Sequence, residues 1–286
     1  MEIQIEKILN NNAVVILSEE GLETVVMGKG IAFRKKAGDM IPKEQINKVF
    51  TLTDRKNNSM FQELVTDIPI EHILISEKII KYAKANLGKK LSDTIYVTLT
   101  DHISMAIQRY KEGIILKNGL LWDIKQFYPD EFIMGNKAIK MIQADTGIEL
   151  LEDEAAFMAM HLVSAQLNED TSLVYNMTKL IQDITNIVKQ YFKIEYDLQA
   201  LSYFRFINHL KFFAQRLFNN VEYDDDNDTS ILDTIIYKYR KEYQCTQDIA
   251  HFIKQEYEHP MSNEEMLYMT IHITRIVRET RKKKTK

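Results

Sequence analysis

The chain has 286 residues, of which 45% are hydrophobic and 27% charged, and its formal net charge is −4. A chain of this length can form more than one hydrophobic core. Its nearly balanced charge argues against a protein that binds nucleic acid over its whole surface. No run approaches the ~20 apolar residues of a membrane span, and the start lacks a signal-peptide layout, so we expect a cytoplasmic protein without membrane insertion. The single cysteine, Cys245, cannot form an internal disulfide and is predicted to be a small buried hydrophobe.

The first fifty residues have the pattern of a small antiparallel β-sheet. Ile3 and Ile5 alternate with polar residues, and Asn10 to Asn12 mark a turn. Two β-branched runs follow, residues 13–17 and 23–27, with a second turn between them. A sheet of this size buries little core by itself, so we expect it to dimerise or to dock tightly.

From about residue 65 the hydrophobic period changes from that of a strand to that of a helix. Apolar residues from Ile73 to Ala83 lie along one side of a helix that should stop near Gly88. The polar residues 51–58 in front of it predict a linker. The fold class is therefore mixed and mostly α, with a small N-terminal antiparallel sheet in front of helical domains.

The helical part repeats itself once. Residues 154–162 match residues 265–273 as E-x-x-[FY]-M-x-x-H-[LI]. The same register pairs His102 with His209, and Arg109 with Arg216. We therefore predict two homologous all-α helical bundles, with domains at residues 1–55, 65–169 and 172–280.

Four histidines occupy matching places in the two copies: His102, His161, His209 and His272. A single histidine on an apolar helix face is more often a hydrogen-bonded core or rim residue. We interpret His72, His251 and His259, which have no counterpart, as ordinary surface or packing residues. Nucleophilic catalysis by histidine stays possible, although no glycine-rich pocket accompanies it.

Metal binding by these histidines is not predicted. The H-E-x-x-H motif is absent, and no cysteine or carboxylate stands at a ligand spacing beside them. Glu154 and Glu265 lie seven residues before a histidine, which favours a helix-capping role for both. Ser262 followed by Glu265 is a capping box.

The segment VVMGKGIAFRKKAGD, residues 25–39, combines glycines and basic residues directly after a strand. Such a pattern can bind phosphate, but the spacings of a Walker loop and of a dinucleotide motif are absent, since position 33 is phenylalanine. Residues 1–50 contain seven acidic and seven basic residues, and four of the bases fall between positions 29 and 36. The segment therefore indicates a local anion-binding patch.

This order of motifs resembles the BglG/SacY family of bacterial transcriptional antiterminators over essentially the whole chain, with the closest likeness to β-glucoside-type members. The N-N-N turn, the V-V-M-G-[KR]-G-[IL]-A-F-x-K-K-x-G stretch and the two repeats with paired histidines carry the resemblance. It implies a co-antiterminator RNA-binding domain, which acts as a homodimer on a leader mRNA hairpin and prevents terminator formation. It also implies two phosphotransferase (PTS) regulation domains, no enzymatic activity and no cofactor.

The resemblance implies RNA contacts by seven residues of the sheet domain: Lys7, Asn12, Gly28, Lys29, Gly30, Phe33 and Arg34. Phe33 would stack on an unpaired base, although a role as an ordinary core aromatic stays open. Lys29 stands where many relatives have arginine, which puts bidentate contacts there in doubt. Lys36, Lys43 and the basic run 281–284 are interpreted as solvated.

For the four histidines the resemblance implies phosphorylation. A sugar-specific PTS enzyme II permease would phosphorylate the first regulation domain and silence the protein, and the phosphocarrier HPr would phosphorylate the second. Our own hypothesis is that Arg109 and Arg216 pair with the phosphates. The alternatives are a phosphotransfer enzyme with histidine intermediates, and a DNA-binding activator. The second should begin with a helix-turn-helix, whose period residues 1–50 lack.

Overall fold

The structure is a computed structural model that describes residues 2–18, 20–52, 54–221 and 230–284. Contacts divide the chain into two compact units. Unit 1 contains residues 1–121 and 128–171, and unit 2 contains residues 122–127 and 172–286.

Unit 1 begins with six short strands: β1 (Glu2–Gln4), β2 (Lys7–Asn10), β3 (Ala13–Leu17), β4 (Glu23–Met27), β5 (Met40–Pro42) and β6 (Lys48–Phe50). Strands β2, β3, β4 and β6 form one antiparallel sheet in that order, and β1 pairs with β5. The predicted strands at residues 13–17 and 23–27 are β3 and β4, and they pair from Ala13 opposite Met27 to Leu17 opposite Glu23.

Both faces of this sheet are buried, because side chains alternate along β3 and β4. Val14 and Val26 point to the face that packs with Ile41 of β5. Val15 and Val25 point to the other face, where Phe61 covers them. The double burial explains why both strands read as continuous apolar runs.

The predicted linker at residues 51–58 is wrong over its second half. Helix α1 (Arg55–Asp67) begins there, and Asp54 caps it by accepting a hydrogen bond from the backbone N–H of Asn57 at 2.8 Å. Polar residues in a first helical turn resemble a loop, which is why the pattern was misleading. Asn58 donates to the backbone carbonyl of Glu23 at 2.9 Å, so α1 docks on the sheet as the small size of the sheet demands.

The helices of the first repeat follow as α2 (Ile70–Asn86), α3 (Ile95–Lys111), α4 (Leu121–Phe127), α5 (Pro129–Thr146) and α6 (Glu152–Leu167). Helices α2, α3, α5 and α6 share a core that includes Ile80, Leu99, Ile103 and Ile142. Helix α2 ends just before Gly88, whose positive φ of 62° no longer continues a helix, as predicted.

Unit 2 contains α7 (Thr171–Phe192), α8 (Leu201–Phe218), α9 (Ser230–Lys238), α10 (Arg240–Tyr257) and α11 (Asn263–Lys284). Phe206 and Phe213 of α8 and Ile273 of α11 are fully buried in its core. Residues 122–127 also group with this unit, where Gln182 donates to Asp123 at 2.6 Å.

The fold class predicted from the sequence is confirmed, and the domain boundaries stay a prediction. Cys245 is buried, as expected, and burial raises the pKa of its thiol to about 12. Every helix in the described ranges is too short or too polar to cross a lipid bilayer.

Candidate functional site

The glycine and lysine segment after β4 folds into a compact turn that Asn12 holds in place. The side-chain oxygen of Asn12 accepts from the backbone N–H of Gly30 at 2.7 Å, and its backbone carbonyl accepts from Gly28 at 2.9 Å. The amide NH2 of Asn12 makes no hydrogen bond to the described part of the chain. Asn12 therefore uses its side-chain acceptor to hold the turn, and its two amide donors are unbonded within the described residues.

The backbone of this turn needs its glycines for two different reasons. A Cβ on Gly28 would lie 2.0 Å from the carbonyl oxygen of Gln45, so Gly28 permits a close approach within the protein. Gly30 has a φ of +64°, and Arg34 adopts the same left-handed region with a φ of 59°. The segment is thus shaped by its own backbone before any ligand binds.

Phe33 is an exposed aromatic and not a core residue. Its side chain is 59% exposed, and the guanidinium carbon of Arg34 lies 5.2 Å from its ring centroid. Lys29 is exposed in the same turn. An exposed ring beside cationic side chains can stack on an unpaired base while the charges attract phosphate.

The structure therefore brings together Asn12, Gly28, Lys29, Gly30, Phe33 and Arg34. Lys7 has a separate contact, since its ammonium lies 3.4 Å from the side-chain oxygen of Gln62 on α1. Lys35 donates to the backbone carbonyl of Met40 at 2.7 Å, and the backbone N–H of Lys36 donates to Asp39 at 2.9 Å. Both interactions close the turn from within.

The predicted histidine pairs lie at matching places in the two repeats. Helix α3 packs on α6, and the rings of His102 and His161 are 4.9 Å apart. Helix α8 packs on α11, and the rings of His209 and His272 are 4.6 Å apart. Four histidines that are far apart in sequence thus form two equivalent pairs.

Glu154 binds side chains of α3, so its predicted role as a helix cap is wrong. One carboxylate oxygen accepts a hydrogen bond from the guanidinium of Arg109 at 2.8 Å, and the other lies 2.9 Å from Nε2 of His102. Burial works to raise the pKa of Glu154, but the His102 and Arg109 contacts outweigh it and hold this pKa below its usual range. The sequence spacing of seven gave no hint of these partners on another helix.

In the second repeat, Glu265 serves mainly as a cap. The backbone N–H of Ser262 donates to its carboxylate at 3.1 Å, and its own backbone N–H donates to the Ser262 hydroxyl at 3.2 Å, which confirms the predicted capping box. Arg216 lies 3.6 Å from the second oxygen of Glu265. In both repeats the glutamate lies beside the matching arginine, but among the described residues only Glu154 also contacts a paired histidine.

Three of the four histidines are held neutral by burial. Burial lowers the pKa of His161 to about 3, and the neighbouring His102 acts in the same direction. Burial, His272 and Arg216 lower the pKa of His209 to about 3. Burial and two arginines, Arg275 and Arg205, lower the pKa of His272 to about 4. Because a neutral ring keeps a lone pair, these side chains can act as nucleophiles near neutral pH.

Within the ranges that the structure describes, no group of three His, Cys, Asp or Glu residues could hold a metal ion. Of the histidines outside the repeat register, His72 forms a hydrogen bond with the Ser104 hydroxyl at 3.0 Å. This is the packing role that was predicted for it.

Two protein-family models match the chain, in the same order as the sheet domain and the two helical repeats. The CAT RNA binding domain matches residues 3–59, and the PRD domain matches twice, at residues 77–165 and 182–276. These matches define a regulator class with an RNA-binding sheet domain in front of two PRD repeats. The chain belongs to the BglG/SacY family of transcriptional antiterminators.

Full-length relatives carry names of this class. Transcription antiterminator LicT of Bacillus subtilis (strain 168) is 50% identical over 97% of this chain and 100% of its own length. The beta-glucoside operon antiterminator of Dickeya chrysanthemi is 39% identical over 96% of each chain. A solved structure of LicT in complex with its RNA target is 46% identical over 20% of this chain and 98% of its own, with a TM-score of 0.18.

Proposed function

We propose that the turn after β4 binds an RNA hairpin in a leader transcript and that a homodimer of the N-terminal sheet forms the complete binding surface. The observation that carries this proposal is the exposed Phe33 ring beside Arg34, in a turn whose Gly30 bonds to the Asn12 side chain. Stacking explains the ring, hydrogen bonding to a base edge explains the amide, and phosphate attraction explains Lys29 and Arg34.

The role that we propose for each of the seven residues follows from its surroundings. Phe33 stacks, Asn12 donates to a base, and Lys7, Lys29 and Arg34 neutralise phosphates. Gly28 and Gly30 set the path of the backbone, since one is enclosed by Gln45 and the other adopts a positive φ. Binding of the hairpin would keep an overlapping terminator from forming, which is antitermination.

The test measures binding of the full-length chain to hairpins from its own neighbouring leader transcripts. We expect salt-sensitive, sequence-specific binding that Phe33→Ala weakens by about 10-fold to 100-fold, the range for loss of one stacked base. Full-length protein is needed because α1 covers one face of the sheet, and truncation at residue 55 would expose that face.

Leu17→Ala is the matched control, because Leu17 is also an exposed hydrophobic residue of the sheet domain but lies outside the turn. This control should bind like the wild type. Equal binding by the wild type and Phe33→Ala, at unchanged helical content, would contradict the proposed role of the turn.

We further propose that His102, His161, His209 and His272 are phosphorylated by proteins of the phosphotransferase system and that this controls RNA binding. The support is the pairing of the four rings at equivalent places, together with the burial that keeps three of them neutral. A phosphate adds up to about two negative charges, which changes the balance between dimer arrangements.

The proposed donors are a sugar-specific enzyme II permease for the first repeat and HPr for the second. Incubation of the chain with each labelled donor, followed by peptide mapping, tests both assignments. We expect label on the first pair from the permease and on the second pair from HPr. Label that passes onward to a further acceptor would instead favour a phosphotransfer enzyme.

A further inference from the structure

Glu154 and Glu265 stand at matching positions of the two repeats and lie beside matching arginines, but their remaining contacts differ. Glu154 contacts both His102 and Arg109 of α3. Glu265 bonds to Ser262 at the start of its own helix, and within the described ranges it makes no contact with His209. Only the first repeat therefore couples a carboxylate directly to one of its paired histidines.

The two repeats also differ in sequence at the capping position in front of this glutamate. Ser262 precedes Glu265 by three residues, and in the first repeat the equivalent residue is Leu151. Leu151 has no side-chain atom that can cap α6. The Glu154 carboxylate contacts Arg109 and His102 of the facing helix instead of the backbone N–H at this position.

The histidines differ in which ring nitrogen is enclosed. In His161, His209 and His272, Nδ1 is buried without a hydrogen-bond partner in the described structure. In His102 the buried nitrogen is Nε2, which lies 2.9 Å from a carboxylate oxygen of Glu154. The opposite nitrogen of each ring is not in this buried, unpartnered state in the described structure.

We propose that Glu154 is a positioning residue that keeps the proton of His102 on Nε2 and so makes Nδ1 the atom that accepts phosphate. The other three histidines accept phosphate on Nε2. This inference rests on the proposed phosphorylation and adds the atom to which the phosphate is attached. It assigns the first repeat a chemistry that the second repeat lacks.

The tautomer follows from electrostatics. An ionised carboxylate oxygen 2.9 Å from a ring nitrogen is repelled by a lone pair and attracted by an N–H. With the proton on Nε2, the lone pair of the neutral ring lies on Nδ1. Arg109 holds the other carboxylate oxygen at 2.8 Å and fixes the direction of the Glu154 side chain.

Phosphoryl transfer forms one bond at His102 and breaks one bond in the donor protein. The Nδ1 lone pair attacks phosphorus, and the bond from phosphorus to the side chain of the donor protein breaks, leaving its electron pair on the donor. The product is a phosphoimidazolium whose proton remains on Nε2. Glu154 stabilises this cation without taking its proton, as the carboxylate of a catalytic triad stabilises the imidazolium beside it.

The first measurement is the tautomer of His102 in the unphosphorylated full-length chain. Long-range proton–nitrogen NMR correlations of histidine labelled with nitrogen-15 distinguish the two tautomers, and loss of a signal in His102→Ala assigns it. We expect the proton on Nε2 in the wild type and a mixture of tautomers in Glu154→Ala. Glu265→Ala is the matched control and should leave the His209 signals unchanged.

The second measurement uses phosphoramidate, a small phosphoryl donor that needs no partner protein. We expect phosphate on Nδ1 of His102, and a rate at this residue that falls about tenfold in Glu154→Ala, the order expected for loss of one charged contact. If Glu154→Ala does not fold, the same measurements are made on Glu154→Gln, which keeps the shape of the side chain and removes its charge. Arg109 should hold the amide oxygen of the glutamine and leave its NH2 facing Nε2, so we expect the proton to shift to Nδ1 and the rate to fall.

Phosphate on Nε2 of His102, or an unchanged tautomer and rate in the Glu154 variants, would overturn this proposal. Neither result touches the proposed RNA binding or the proposed phosphate donors. Conversely, a chain that phosphoramidate modifies as expected but that takes no phosphate from HPr or from the permease would refute the proposed donors and leave the role of Glu154 intact.

Discussion

Gly135 of α5 sets the distance between α5 and α6, and its replacement by alanine should destabilise unit 1. A Cβ at this position would lie 2.1 Å from the backbone oxygen of Ala155, the residue after Glu154. Ordinary contact begins near 3.4 Å, so one helix must move by more than ~1 Å. Neither atom belongs to a flexible side chain, and the clash cannot be relieved by a rotamer change.

Two opposing effects decide the sign of this prediction. Alanine inside a helix is favoured over glycine by about 1 kcal/mol. Overpacking of a close helix contact costs about 1–3 kcal/mol, and a clash with backbone lies at the upper end of that range. We therefore expect Gly135→Ala to lower the free energy of unfolding by about 1–2 kcal/mol.

Urea unfolding followed by helical circular dichroism measures this change. Asn136→Ala is the matched control, because its side chain is half-buried and bonds only within α5, to the carbonyl of Phe132 at 3.2 Å. The control should stay within about 0.5 kcal/mol of the wild type. A Gly135→Ala protein as stable as the wild type, or more stable, would refute the reasoning.

Three further predictions concern stability. Ser262→Ala removes one half of the capping box and should cost about 1 kcal/mol in thermal unfolding, whereas an unchanged melting temperature would contradict the cap. Gly28→Ala should destabilise more than Gly21→Ala, because Gly21 has nothing within 4 Å of an added Cβ; equal losses in urea unfolding would argue against the Gln45 contact. Because the folded pKa of His161 is about 3, below the ~6.5 of an unfolded histidine, the unfolded chain binds more protons as pH falls. As the pH falls below ~6.5, this residue should therefore lower the free energy of unfolding by up to ~1.4 kcal/mol per pH unit. Urea unfolding at several pH values measures this slope, and His161→Gln should make it smaller.

The strands and the repeats were predictable because their patterns are local. Residues 13–17 and 23–27 are short β-branched runs between turn signals, and they form β3 and β4. The histidine pairs were predictable because the same motif occurs twice. The start of α1 was missed, since Asp54 and the polar residues after it resemble a linker until Phe61 and Val65 are seen to face the sheet.

The partners of Glu154 could not be predicted, because they depend on contact between two helices that are separated in sequence. The repeat even suggested the wrong role, since Glu265 is a cap and Glu154 stands at the same place. The sequence does show one difference between the repeats at this place, since Ser262 precedes Glu265 by three residues and Leu151 precedes Glu154 by three. The meaning of this difference becomes clear only when the facing residues of α3 are known.

Residues 122–127 lie inside the first PRD match, yet by their contacts they belong to unit 2. There Asp123 accepts from Gln182 at 2.6 Å, and Gln126 accepts from the Tyr203 hydroxyl at 3.0 Å. A hybrid protein that joins this first repeat to a foreign second repeat would leave the Asp123 carboxyl without its Gln182 partner. Burial already raises the pKa of this carboxyl. Grafts that exchange this hexapeptide together with residues 172–286 keep those bonds, so the natural unit of exchange is discontinuous in sequence.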